Sequence, residues 1–152
     1  MTTILSDLLI NEMIKNNNSN NNKIYLLKKL GIKITILSSK IEYNKSVNRY
    51  NKYYYCKISY NNFDFNIGFH DSVFNYYSNK RLNKADVLYS AIVDMQSYIS
   101  CSNINDFITE FGYDDYKRGL RAYKACERTF ENMHKMFTNE ELEKLEELLS
   151  DF

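Results

Sequence analysis

The stretch RYNKYYYCKISYNNFDFNIGFHD, residues 49–71, decides how this chain folds. Apolar and polar residues alternate on both sides of Asn61-Asn62, the period-two pattern of half-buried strands. Asparagine tolerates the positive φ angles of a tight two-residue turn, so the pair marks the tip of a hairpin. That turn sets the register: Tyr60 opposite Phe63, Ile58 opposite Phe65, Cys56 opposite Ile67 and Tyr54 opposite Phe69. These apolar pairs share one face, whereas Tyr53, Tyr55, Lys57, Ser59, Asp64, Asn66 and His70 fall on the other. A slip of one residue would move the whole apolar set into water, so the register is strongly specified.

Outward from the hairpin, GIKITILSS keeps the strand period and places Ile32, Ile34 and Ile36 on one face. Before it, KIYLLKKLG reads as a short helix stopped by Gly31 in the left-handed conformation. NNNSNNN, residues 16–22, has nothing to bury and reads as a flexible linker. It tethers an N-terminal helical arm, residues 1–15, on which Leu5, Leu8, Leu9 and Met13 recur at helical spacing. Residues 23–152 are expected to form a single α+β domain.

After the hairpin the period changes to that of helices. DSVFNYYSN (71–79) reads as a short helix, and NKADVLYSAIVDMQSYI as a core-facing one that buries Val87, Leu88, Ala91, Ile92 and Met95. NINDFITEF starts at Ser102 or Asn103, with Phe107 and Phe111 four apart and pointing into the core. Gly112 is its expected left-handed stop, and Asp114 or Asp115 caps the next helix. Along that helix Tyr116, Leu120, Tyr123, Phe130, Met133 and Phe137 form the expected apolar stripe. TNEELEKLEELLSDF opens with Thr138 and Glu141 in capping-box spacing and carries a seam of Leu142, Leu145, Leu149 and Phe152. That seam packs on its neighbour or joins two copies as a homodimer. The fold class is α+β: a small antiparallel sheet of three strands, then a helical C-terminal half.

Composition bounds the function. The chain has no Pro, no Trp and 14 Tyr among 152 residues, a bias matching the AT-rich codons of a low-GC genome. Rigid tyrosine rings also suit a binding surface. Three scattered cysteines with no CxxC pair, and two histidines without a neighbouring ligand, argue against a disulfide framework or zinc site. No cofactor is expected. No apolar run approaches the ~20 residues that span a bilayer, and the acidic N-terminal stretch lacks a basic n-region, so a cytoplasmic protein is expected. Charge is uneven: residues 1–60 carry 10 Lys+Arg and 3 Asp+Glu, for +7, and residues 61–152 carry 10 and 16, for −6.

Candidate sites follow from these patterns. The polar hairpin face, with Arg49, Lys52, Tyr53, Tyr55 and Lys57, combines aromatic rings and cations as protein hot spots and single-stranded nucleic-acid platforms both do. A plain solvated sheet face is the third reading. The last helix presents Glu143, Glu146 and Glu147, an acidic face able to occupy a basic channel. His70 with Asp106, Glu110, Asp114 and Asp115 is the weakest cluster: no nucleophile or phosphate loop accompanies it, and Cys56 faces away from His70. The chain therefore reads as a binder rather than an enzyme. A small nucleic-acid-binding accessory protein is the alternative, and a nucleotide-processing enzyme the second alternative.

The segments GIKITI, FDFNIGFHDSVFN, ADVLYSAI, NDFITEFGYDDYKRGLRAYKAC and FTNEELEKLEEL, in this order, resemble a family of small phage and prophage proteins of mostly unassigned function. The resemblance covers about residues 24–150. Where members carry D-T-D-S after the G-Y, this chain has Asp114-Asp115-Tyr116. What the resemblance implies is a phage protein working in the cytoplasm of a low-GC bacterial host. Small phage proteins of this kind bind and block host defence machinery, which makes a Cas effector the expected partner and an anti-CRISPR protein the expected class.

Overall fold

The computed structural model describes residues 20–45, 47–71 and 82–150. The N-terminal arm and the helix expected over 71–79 lie outside these residues, apart from Asp71. The first described helix, α1 (Asn20–Leu30), begins inside the stretch read as linker and takes in its last three asparagines. Gly31 ends it at φ 81°, as its missing Cβ permits.

Three strands follow: β1 (Lys33–Asn44), β2 (Arg49–Tyr60) and β3 (Phe63–Asp71). They form an antiparallel meander in the order β1-β2-β3. The pairing of β2 with β3 joins Tyr60 to Phe63, Ile58 to Phe65, Cys56 to Ile67 and Tyr54 to Phe69, the register that the alternation dictates. Asn61 and Asn62 turn the chain with φ of 52° and 66°, positive at both central positions as a type I′ hairpin requires.

β1 differs from its expected form. Ile32 and Ile34 are buried, but the register shifts between Ile36 and Ser38, and Ile36 is exposed. The strand then runs on to Asn44, and with β2 it extends past the end of β3.

The helical half contains α2 (Lys84–Ser100), α3 (Ile104–Phe111), α4 (Tyr116–Met136) and α5 (Asn139–Ser150). α2 buries Val87, Leu88, Ala91, Ile92 and Met95 against the apolar sheet face, where Cys56 and Ile58 are fully buried. Each large side chain buried there contributes roughly 1.5–3 kcal/mol to the stability of the fold. α5 opens with the expected capping box: Glu141 N–H donates to Thr138 Oγ1 at 3.1 Å, and Thr138 N–H donates to Glu141 Oε1 at 3.0 Å. Its Leu142, Leu145, Leu148 and Leu149 are all buried in the chain's own core. Of the two readings of the seam, packing within the chain accounts for Leu142, Leu145 and Leu149, while Phe152 lies outside the described residues.

The expected stripe on α4 holds at Met133 and Phe137, which are buried, and at Leu120, Tyr123 and Phe130, which are half-buried. Its buried line is Gly119, Cys126, Thr129, Met133 and Met136, while Tyr116 is 56% exposed. Small residues let α3 approach closely: a Cβ on Gly119 would stand 2.6 Å from Ile108 Cγ1. Phe107 is buried outside the main core, in an aromatic cluster with Phe111 at 4.8 Å and Tyr123 at 5.3 Å between centroids. Phe111 is 45% exposed, so only the first of the two phenylalanines points inward.

Candidate recognition face and adjoining cleft

Because strand side chains alternate, the hairpin register also orders its outward face. Lys57 pairs with Asn66, Tyr55 with Gly68 and Tyr53 with His70, one behind another along the strands. Tyr55 is 48% exposed at the centre of this row. The Tyr53 and His70 rings stack at 4.7 Å between centroids, with planes only 18° apart. On the β1 side Lys40 pairs with Tyr53, and its Nζ lies 2.8 Å from Glu42. That carboxylate raises the pKa of Lys40, first by hydrogen bonding and then by charge.

Lys52 does not belong to this row. It sits an odd number of residues from Tyr53, Tyr55 and Lys57, so it points to the core side, with its Nζ 4.9 Å from the centre of the Tyr54 ring. Arg49 is exposed at the far end of β2, where it pairs with Asn44 beyond the reach of β3. Glu143, Glu146 and Glu147 are exposed on α5, on the side away from its buried leucines. The sheet row and this acidic row both face away from the core that lies between them. They are two surfaces rather than one.

The carboxylates of the α3–α4 corner have structural work. Asn103 Oδ1 accepts from Asp106 N–H at 3.0 Å, and Asp106 Oδ2 accepts from Ser102 N–H at 3.2 Å. Asp115 caps α4 by accepting from Lys117 N–H at 2.9 Å, and Gly112 supplies the left-handed stop at φ 71°. Glu110 and Asp114 are exposed. Burial raises the pKa of the Cys56 thiol, while burial, helped by the Asp94 and Cys101 charges, pushes Cys126 up to about 12. Both therefore stay protonated and poorly nucleophilic near neutral pH. Among the described residues no three His, Cys, Asp or Glu side chains gather to hold a metal, and no helix is long and apolar enough to cross a membrane.

Beside the Tyr53–His70 stack the sheet gives way to a cleft of about 510 Å³ that sequence reasoning missed. Tyr53, Tyr54, Gly68, Phe69 and His70 form its strand side, Phe107, Phe111 and Tyr113 come from the α3–α4 corner, and Ala122 and Cys126 come from α4. α2 contributes Ser97 and Asp94. Asp94 is half-buried, and this burial raises its carboxyl pKa to about 6. Its place three residues after Ala91, on the flank of the apolar stripe and beyond the first turn where Asp86 sits, was the signal that could have drawn attention to it.

No family model, curated protein or solved structure matches this chain. The resemblance to small phage proteins rests on its sequence segments alone.

Proposed function

We propose that this protein is a phage-encoded inhibitor of a bacterial defence system, acting in the host cytoplasm by binding a nucleic-acid-processing effector. An anti-CRISPR protein directed at a Cas effector is the concrete form of the reading. The observation that carries it is the outward row Tyr53, Tyr55 and Lys57, ordered by the hairpin register and exposed at Tyr55. Rigid aromatic rings beside cations are the composition of protein–protein hot spots. Arg49 extends the face along the strand. Lys52 supports it from behind by packing over Tyr54.

The acidic row Glu143, Glu146 and Glu147 supports the same reading from the other side. Carboxylates fixed on a rigid helix suit the basic channel in which an effector holds guide or target strands. Inhibition is steric, since the protein fills space that nucleic acid would occupy.

Affinity capture from the bacterial host, with mass spectrometry of the retained proteins, tests the reading. Recovery of a Cas or other defence protein supports it. Recovery of none, with steeply salt-dependent binding to a single-stranded oligonucleotide instead, would replace it with the nucleic-acid-binding alternative.

A further inference from the structure

We propose that the cleft between β3 and the α3–α4 corner binds an alkyl-guanidinium or alkyl-ammonium cation, presented by the protein partner as an arginine or lysine side chain. The inference rests on the partner-binding reading for the source of the cation, and on the cleft alone for its chemistry.

A volume of about 510 Å³ holds a long side chain with room to spare. The Tyr54 and Phe69 rings line the strand side beside the edge of the Tyr53–His70 stack, and Phe111 and Tyr113 the corner side. Aromatic faces attract cations through their quadrupoles, most strongly where water is displaced. Asp94 adds the counter-charge. Among the described residues it makes no hydrogen bond or ion pair that would compensate its charged form. A carboxylate left in that state is costly, and an entering cation offsets the cost.

The lining also excludes the opposite charge. Among the described residues no lysine or arginine lines this cleft, and the nearby Lys52 ammonium is engaged over the Tyr54 ring. A second cavity of about 530 Å³, between α1 and β1, is bordered by Lys28, Lys33 and Lys84 and suits anions instead. Continuity completes the argument, because Tyr53 and His70 belong both to the outward sheet row and to the cleft. A partner lying on the row reaches the cleft without leaving the surface.

The charged and titratable groups that share the cleft with Asp94 among the described residues are His70 on β3, Tyr53 and Tyr54 on β2, Tyr113 at the corner and Cys126 on α4, with Cys101 acting on Cys126 and Lys52 packed over Tyr54.

The test titrates the full chain with n-butylguanidinium and, separately, with adenosine monophosphate, following the NMR signals of Tyr53, His70 and Phe111. Saturable shifts with the cation and none with the nucleotide are expected. Asp94→Asn, which keeps the side-chain shape, should weaken the cation about tenfold. Binding should also fall about tenfold between roughly pH 7.5 and pH 5 in the wild type, and the fall should persist in His70→Gln. Phe111→Ala, at an exposed position, should weaken binding with the fold intact. Absence of saturable shifts, unchanged affinity in Asp94→Asn, or preferential binding of the nucleotide would each overturn the proposal. Failure here leaves affinity capture of a defence protein standing, and failure of capture leaves the probe titration standing, so the two readings fall separately.

Discussion

The Tyr60 hydroxyl donates a 2.8 Å hydrogen bond to Glu141 Oε2, tying the tip of the β2–β3 hairpin to the first turn of α5. Both residues are buried, and the Tyr60 ring stacks on Phe137 at 4.8 Å. The other oxygen of the same carboxylate closes the capping box by accepting from Thr138 N–H. One glutamate thus joins sheet and helical half while starting the last helix. Burial, followed by the bond to Glu141, raises the Tyr60 pKa far above its ordinary value, so the phenol remains a donor at any working pH.

Tyr60→Phe removes the donor but keeps the stack, and should cost about 1.5–3 kcal/mol because the lost bond is to a charged group. Glu141→Ala should cost more, since it also removes the box. Urea unfolding of both variants measures the losses, with an unchanged slope expected.

The turn at Asn61-Asn62 has both residues at positive φ. Asn62→Gly should be neutral or mildly stabilising, because glycine adopts the same conformation without strain. Asn62→Val should cost roughly 1–2 kcal/mol, since a β-branched residue meets the full steric penalty of that region. Thermal unfolding of the two variants separates the effects.

Burial raises the Asp94 carboxyl from 3.8 to about 6. Between those values the folded protein binds the proton more tightly than the unfolded chain, so stability falls as pH rises through that window. Above it the charged carboxylate destabilises the fold by up to about 3 kcal/mol, less as water enters the cleft. Asp94→Asn should therefore be more stable than the wild type at about pH 8 and nearly equal to it near pH 4. Unfolding curves across this range test the sign, and a variant less stable at high pH would contradict it.

Gly119 is the close-approach point of α3 and α4, where an added Cβ would meet Ile108 at 2.6 Å. Gly119→Ala gains helix propensity but overpacks the contact, for a net loss of about 1 kcal/mol. Gly119→Val should lose more. Hydrogen exchange should show the opening localised to α3 and the start of α4.

Much of this architecture was legible because the deciding signals are local. The Asn61-Asn62 turn and its flanking alternation fixed four cross-strand pairs, while Thr138 and Glu141 announced a helix start. Legibility failed where tertiary contact decides. The α4 stripe was read from its aromatic residues, yet its closest packing uses Gly119, Cys126 and Thr129, whose small side chains carry little hydrophobic signal. The shift after Ile36 breaks a periodicity that looked continuous. Lys52 was grouped with Tyr53 and Tyr55 by proximity in sequence, and strand geometry sends it to the other face. The cleft joins residues from β2, β3, all of α2 to α4 and the corner between them, so no contiguous pattern could reveal it.

The central claim is that the hairpin's outward row blocks a defence effector, and a plasmid-interference assay tests it most directly. Host cells with an active CRISPR system receive a targeted plasmid while expressing the wild-type chain or its Tyr53→Ala, Tyr55→Ala and Lys57→Glu triple variant. The account predicts that the wild type rescues transformation by orders of magnitude and that the folded variant does not. Equal rescue by both, or none by the wild type against any effector of its host, would contradict it.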